Sequence, residues 1–569
     1  MRAAHDDPST VTAEPARYYP AGAGPQPGSP HAAYVAERIS EIGSFGDETV
    51  SDHVRRHARE RPQGIAYIVD GHLRTTWSDF DAAADLYAAL LCDLQVQAGE
   101  RVAVLYPDSS TVHALYVGIE RAGAVVMGIG PRAGAEELLH LLSVTAATVL
   151  ITPERVGDRD MKAAAAALRQ QGVPLRHHVI VPWETPRQLM VDGAALTPSK
   201  SRAPRDRQLG IGDLFMLNST SGTTGMPKCV AHNQNRWFYY HQRVLQSIDF
   251  DENDVFLSLI PAPYGFGLWT AHVTPLILGC TTVVMSRFNA AGAVSLIASE
   301  QVTAMHCVST QFVMMLNTGE LDEIDASSLR CMFTGGEAIP FERAAQFERS
   351  TGAKVLNFYG SNETGTLSHT SASDDTVRRL TTCGRVIDEM NVRLFDESGE
   401  DVTATGGPGQ AACRGPATSW GYYADPAANA ALFTDDGWML TGDVCTIDEE
   451  GVVKIVDRKS DFIIRGGKNI SAAAVEERVG THPAVSLAAA VAVSDEVFGE
   501  RVCAVVVLRE GHELDLAQLR SHLADRGVSK ELWPERLVIT DELPRAAGGK
   551  VAKAQLRRRL AEEDGEQHL

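Results

Sequence analysis

From about residue 46 onward, apolar and polar positions follow two rhythms, one helical and one extended. "DETVSDHVRRHARERP" predicts a helix stopped by Pro62, and "GIAYIVDG" a strand. In "TWSDFDAAADLYAALLCDL", Phe80, Ala84, Tyr87 and Leu91 fall on one face of a helix capped near Ser78. "RVAVLYPDS" is a short apolar run, followed by the helix "STVHALYVGIERAG" and the strand "AVVMGIG". "EELLHLLSVTAA" and "TVLIT" repeat the alternation, as do "VFLSLIPAP", "GCTTVVMS" with "AAGAVSLIASE", and "AMHCVS". Short buried strands alternating with helices indicate α/β units around parallel sheets.

After about residue 380 the texture changes. "NVRLFDESGEDV", "GQAACRGP" and "GVVKIVDRKSDFIIRGG" read as short strands joined by Gly-containing turns, a more β-rich piece. The last hundred residues alternate again in "AAAVEERVGTHP", "VSLAAAVAVSD", "RVCAVVVLREG", "LAQLRSHLADRG" and "RLVIT", which fits a small α+β domain. The charged, strand-poor stretch "DRKSD", 457–461, is the expected boundary. At the other end, "YYPAGAGPQPGSP" holds few aliphatic residues. The expected division is a largely disordered leader over 1–45, an N-terminal domain over 46–457 and a C-terminal domain over 458–569.

Composition narrows the class. A chain of 569 residues exceeds what one core usually supports. Its formal charge of −21 argues against nucleic acid or anionic membrane as a partner, so an anionic ligand needs local cations or a metal. Nine cysteines without a C-x-x-C pair read as free thiols in a reducing compartment. The start "MRAAHDDPST" has no apolar h-region, and no run of 18 apolar residues occurs. A cytoplasmic protein without integral membrane association is expected; monomer and homodimer both stay open.

Five stretches carry candidate chemistry. "LNSTSGTTGMPK" offers a Gly-rich anion nest, Ser219, Thr220, Ser221, Gly222, Thr223, Thr224 and Gly225, ending at Lys228. Its spacing is not that of P-loop NTPases, and a surface loop reads equally well on composition alone. In "VLNFYGSNETG", Tyr359 beside Gly360 suits a purine face and Glu363 suits Mg²⁺, although a plain β-turn would look the same. In "DDGWMLTGDVCTIDEEG", Asp443 at a strand end suits a ribose or an Asx-turn. "DRKSDFIIRGGKN" brings Arg458 and the pair Gly466-Gly467, and "LPRAAGGKVAK" brings Lys550; each also reads as a charged surface turn.

In this order the five stretches resemble the adenylate-forming superfamily of acyl-CoA synthetases, aryl-acid ligases, peptide-synthetase adenylation domains and luciferases. The resemblance runs from about residue 46 to 560 and takes in "GPRAGAEELLHLL", "FTGGEAIP", "CGRVI" and "RGPATSWGYYADP". It implies a large domain of layered α/β sheets with a β-rich subdomain, followed by a small mobile α+β domain. It further implies that Ser219 to Lys228 close over the ATP phosphates. Gly336, Glu337, Ala338, Asn357, Tyr359 and Gly360 would lie beside adenine. Asn362 occupies the family's threonine position, with Glu363 and Thr220 at the metal. Asp443 and Arg458 would hold the ribose with Ile455 nearby, and Lys550 would be the adenylation lysine. Tyr264, Gly265, Phe266, Trp269, Gly335 and Gly360 would line the acid pocket. Ser460 would be the hinge, with Gly466 and Gly467 along the thiol tunnel.

The implied reaction joins a carboxylic acid to ATP with Mg²⁺, releasing pyrophosphate. The acyl adenylate then passes to the thiol of CoA or of a carrier-protein phosphopantetheine. The sequence departs from the common pattern at Tyr264, where relatives have His, at Asn362, at Ser460, and at Ala472 and Ala474. These leave the acceptor open between CoA, a carrier protein in trans and another nucleophile such as an amine. A degenerate nucleotide-binding regulator would lack the five charges Lys228, Glu363, Asp443, Arg458 and Lys550. Tyr264, Phe266 and Trp269 suggest an aromatic, alicyclic or medium-chain acid, with Trp269 equally readable as core. His177, His178 and His306 show no metal-ligand spacing and are read as surface or core residues.

Overall fold

The computed structural model of the protein describes residues 46, 48–199, 205–220, 226–245, 247–336, 339–458, 461–466, 468–495, 497–546 and 550–566. The expected leader, 1–45, lies outside them. Val50–Glu60 forms the first helix because Thr49 and Asp52 exchange a capping box, and its valines Val50 and Val54 are buried. In the next helix, Trp77–Asp93, the predicted apolar face is buried as expected. Its cap is Thr76, not Ser78, since Thr76 ends the strand Leu73–Thr76 in the extended conformation an N-cap needs.

Two large sheets organise the N-terminal domain. One has nine strands, and its parallel run passes from Lys354–Ser361 through Cys331–Gly335, Ala304–His306, Val255–Ser258 and Thr281–Val284 to Ile65–Val69. The other has eight, with His177–Ile180, Val149–Thr152, Arg101–Leu105, Val125–Ile129 and Met216–Ser219 parallel. Antiparallel strands flank both runs, and the helix Ser110–Arg121 packs beside Trp77–Asp93. Arg121, almost fully buried, is neutralised by Asp81 at 2.6 Å and Asp85 at 2.8 Å, the condition under which a guanidinium tolerates burial. Cys331–Gly335, Lys354–Ser361 and Met216–Ser219 all deliver their C-terminal ends to one crevice, where open α/β sheets bind ligands.

The β-rich piece is a four-stranded antiparallel sheet of Asn391–Phe395, Gly409–Arg414, Met439–Ile447 and Val453–Arg458. Asp457 and Arg458 thus close a strand and do not begin a strand-poor linker, because Arg458 pairs across the ladder with Asp443. A further five-stranded sheet, centred on Val485–Asp495 and Gly499–Leu508, forms the small C-terminal domain with the helices Ala472–Val479, Leu516–Asp525 and Lys553–Glu566. This domain touches the large one at the helix Ser309–Thr318. Asn317 Nδ2 donates to Ser486 Oγ at 2.8 Å, Arg509 donates to Asn317 Oδ1 at 3.3 Å, and Arg545 reaches Met314 Sδ at 3.0 Å. Among the described residues no helix is long and apolar enough to cross a membrane. All nine cysteines are free thiols, eight of them buried.

Candidate active site

The crevice gathers residues from both ends of the chain. Gly336 follows the strand Cys331–Gly335 with φ of +77°, and a Cβ there would sit 2.4 Å from Lys550 Nζ. Only glycine both adopts that backbone and leaves the lysine its place. Lys550 also acts on Asp443, whose carboxyl is raised by burial and drawn down again by Arg458, Tyr359 and Lys550. Asp443 lies inside the strand Met439–Ile447, not at its end as predicted, next to a register shift at Val444/Cys445. One of its oxygens accepts from the Tyr359 hydroxyl at 2.9 Å and the other faces Arg458 Nε at 3.1 Å. A carboxylate has about four acceptor sites, so room remains for vicinal hydroxyls. Tyr359 is buried in this group, and its neighbour Gly360 would clash with the Gly365 carbonyl if it bore a Cβ. Asn357 gives an Nδ2 hydrogen to the Thr382 carbonyl at 2.8 Å, and Ile455 lies on the adjoining strand, partly exposed.

On the phosphate side, Ser219 ends its strand opposite Cys229, and Lys228 N–H reaches Thr220 Oγ1 at 3.3 Å. Lys228 is exposed, with Nζ 4.7 Å from the centre of the Tyr422 ring. The Tyr422 hydroxyl donates to Glu363 Oε1 at 2.8 Å, and burial with the Glu363 charge keeps that phenol protonated. Ser221 to Gly225, Glu337, Ala338, Ser460 and Gly467 lie outside the described residues. Gly466, with φ of +58°, packs on Phe498 within the small domain.

A buried relay joins the two sides. Arg236 can only donate, so its 2.8 Å bond to His232 Nδ1 makes that nitrogen the acceptor and puts the ring proton on Nε2. His232 Nε2 then donates to Asn218 Oδ1 at 2.8 Å, and Asn218 Nδ2 to Asn362 Oδ1 at 3.3 Å. The same Asn362 oxygen accepts the Gly265 N–H at 2.9 Å. Burial and the Arg236 charge hold His232 neutral, which this direction of donation requires. Gly265 has no room for a side chain, since a Cβ would stand 2.3 Å from Asn362 Oδ1.

Beyond Gly265 the chain forms one turn of α-helix, Gly265–Gly267, then a π-helical stretch, Leu268–Val273. Half-buried Phe266 meets Phe358 at 4.6 Å between ring centres, and Phe358 also touches the bare face of Gly335. Behind them Trp269, almost fully buried, packs on His306 and Phe333. Tyr264 is half-buried and lies against Gly130. The sequence reading missed Arg236, His232, Asn218 and Tyr422. The four-residue spacing of His232 and Arg236, and the already noted "GYYADP", were the available signals.

A lysine from the small domain, a half-neutralised aspartate and an aromatic slot around one crevice fit a nucleotide-dependent acid-activating class. The chain belongs to the AMP-binding enzyme family, whose model matches residues 54–423, with the AMP-binding enzyme C-terminal domain matched over 474–550. It is 30% identical over 529 residues to the medium-chain fatty-acid–CoA ligase of Escherichia coli K12, covering 91% of each chain. It is 31% identical to the 2-hydroxy-7-methoxy-5-methyl-1-naphthoate–CoA ligase of Streptomyces carzinostaticus, covering 92% of this chain and 95% of the relative. The crystal structure of ATP-bound MatB from Rhodopseudomonas palustris matches with a TM-score of 0.77 and 25% identity, over 90% of this chain and 98% of that one.

Proposed function

We propose that the protein activates a carboxylic acid with ATP, releases pyrophosphate, and transfers the acyl group from AMP to the thiol of CoA. The observation that carries this reading is Lys550 Nζ, brought from near the chain's end against Gly336 at the mouth of the crevice. Attack by an acid anion on a phosphate anion needs preorganised positive charge, and Lys550 supplies it where the new bond forms. Lys228 steadies the leaving pyrophosphate, while Asp443 and Arg458 hold the ribose. Asn357, Tyr359, Gly360 and Gly336 to Ala338 border adenine, beside Ile455.

Mg²⁺ fits Glu363 and Thr220. No group of three His, Cys, Asp or Glu occurs among the described residues, and Mg²⁺ bound to a nucleotide takes one or two carboxylates plus phosphate oxygens. When bound it would neutralise phosphate charge. Tyr422 fixes one Glu363 oxygen and thereby orients the other.

The second half-reaction needs Lys550 out of the way. The small domain turns about residue 460, and Gly466-Gly467 then borders the thiol path. The pairing of Arg458 with Asp443 in the four-stranded sheet supports a boundary after Arg458. Free thiols suit a cytoplasmic setting. Lys550→Ala should lose about 10²–10³-fold or more in acid-dependent pyrophosphate release. It should keep thioester formation from supplied acyl adenylate, assayed with CoA and with a holo-carrier protein in parallel. Equal loss in both half-reactions would refute the two-position scheme, and preference for the carrier would reassign the acceptor.

A further inference from the structure

Tyr422 stands between two charges of opposite sign. Lys228 Nζ lies over its ring, 4.7 Å from the centre, within the range at which an ammonium is drawn to a π-face. At the other end the phenol donates to Glu363 Oε1 at 2.8 Å, a hydrogen bond strengthened by the carboxylate charge. Burial and that charge keep the phenol protonated, so it remains a donor. Both charges therefore rest on one side chain, yet among the described residues no ion pair joins Lys228 to Glu363.

The backbone fixes the phenol at that seam. Tyr422 forms a bridge with Val230, two residues beyond Lys228, and the Tyr423 N–H donates to the Cys229 carbonyl at 2.7 Å. Three residues upstream, the Ser419 N–H donates to the carbonyl of Glu363 itself at 2.7 Å. Asn429 closes both backbone polar groups of Tyr422, its Oδ1 accepting the N–H and its Nδ2 donating to the carbonyl, each at 2.7 Å. One short stretch is thus tied both to the strand that begins after Lys228 and to the turn that carries Glu363. At 8% exposure the ring has no room to swing into solvent. A lysine is a point charge on a flexible stem, and a carboxylate within its reach is a strong attractor. With a small side chain at 422 the two would neutralise each other, leaving neither the cation for phosphate nor the oxygen for a metal.

We propose that Tyr422 is a positioning residue that keeps Lys228 and Glu363 apart, its ring holding the lysine for the ATP phosphates and its hydroxyl holding the carboxylate for Mg²⁺. This rests on the acid-activation reading above and on Mg²⁺ at Glu363. The two ends of one side chain then serve two different needs of the nucleotide, and substitution removes them separately.

The test is calorimetric titration of the full chain with ATP, first in EDTA and then across Mg²⁺ concentrations, on the unaltered protein, Tyr422→Phe and Tyr422→Leu. Tyr422→Phe keeps the ring, so metal-free ATP should bind within about 2-fold of the unaltered protein. The Mg²⁺ concentration giving half of the metal-dependent gain in ATP affinity should rise about 10-fold, because the carboxylate has lost its donor. Tyr422→Leu removes both ends: metal-free ATP should bind about 3–10-fold more weakly, and the Mg²⁺ requirement should exceed that of Tyr422→Phe. Adding Lys228→Ala to Tyr422→Leu releases the carboxylate and should bring the Mg²⁺ requirement back towards that of Tyr422→Phe, a recovery that lost packing alone does not produce. If Tyr422→Leu does not fold, the contrast between EDTA and Mg²⁺ in Tyr422→Phe decides alone. Equal weakening of Tyr422→Phe under both conditions, or a double variant that needs as much Mg²⁺ as Tyr422→Leu, would overturn the proposal. An unaltered protein that releases pyrophosphate with an acid yet gains no ATP affinity from Mg²⁺ also overturns it while leaving acid activation standing. Release with no acid of any kind removes both readings.

Discussion

At the scale of single residues, charge and steric room decide the site. Lys550 can occupy the crevice because Gly336 has no side chain. Gly336→Ala should therefore displace the lysine and slow adenylation by about 10²-fold, the usual result of misplacing a reacting group by an ångström. Transfer from supplied acyl adenylate should persist, and comparing both half-reactions checks it. Lys228, Glu363, Asp443, Arg458 and Lys550 could be named from the sequence through the family resemblance their stretches carry, and the structure brings Asp443, Arg458 and Lys550 together. Arg236, His232 and Asn218 could not, because their value lies in pairing across distant segments, and a buried polar residue looks the same in sequence whether paired or exposed. Trp269 was readable as either core or pocket, and it packs almost fully buried behind Phe266.

At the scale of elements, most strands and helices followed from periodicity, but the π-helical stretch Leu268–Val273 did not. A wider turn leaves the apolar spacing of "GLWTAHV" close to that of an ordinary helix, and only the ladder reveals it. Behind this stretch His272 faces His113 at 3.3 Å, and His113 faces Asp108 at 3.2 Å, with Tyr67 stacked on His113. Burial raises the Asp108 carboxyl to about 8 and lowers His113 to about 3. The folded Asp108 keeps a proton that the unfolded chain releases, so stability is lost as pH rises from about 4 to about 8. The unfolded His113 takes up a proton that the folded one refuses, so stability is lost as pH falls from about 6.5 towards 3. The two slopes oppose each other below about 6.5, and above it the Asp108 slope is joined, up to about pH 7, by that of buried Glu120, raised to about 7. Asp108→Asn should shrink the decline in melting temperature between about pH 7 and 8, above the range in which Glu120, raised by burial to about 7, also gives up its proton. An unchanged slope in that window would assign it elsewhere.

At the scale of the whole molecule, the large and small domains were visible as a change of texture near residue 460, but the surface where they meet was not. Among the described residues it includes polar contacts around Asn317, where Arg343 and Arg509 both donate to one amide oxygen, and Leu487 packed on a core cluster of the large domain. Burial and the Arg509 charge lower Arg343 to about 10, so the two guanidiniums oppose their own proximity. The proposed turning of the small domain would have to break these contacts. Asn317→Ala removes the shared acceptor and should slow adenylation about 2–10-fold while leaving thioester transfer unslowed, read as separate single-turnover rates.

The slot beneath the lysine has a consequence for descent. Tyr240, Phe266, Trp269, His306, Phe333 and Phe358 all belong to the large domain, and among the described residues the small domain brings the tip of Lys550 to Gly336. If the acid binds in that slot, as the family resemblance implies, what the protein accepts and how it cycles are written in different parts of its gene. Duplicated copies are free to drift toward new acids by altering a handful of rings, without disturbing the machinery that opens and closes above them.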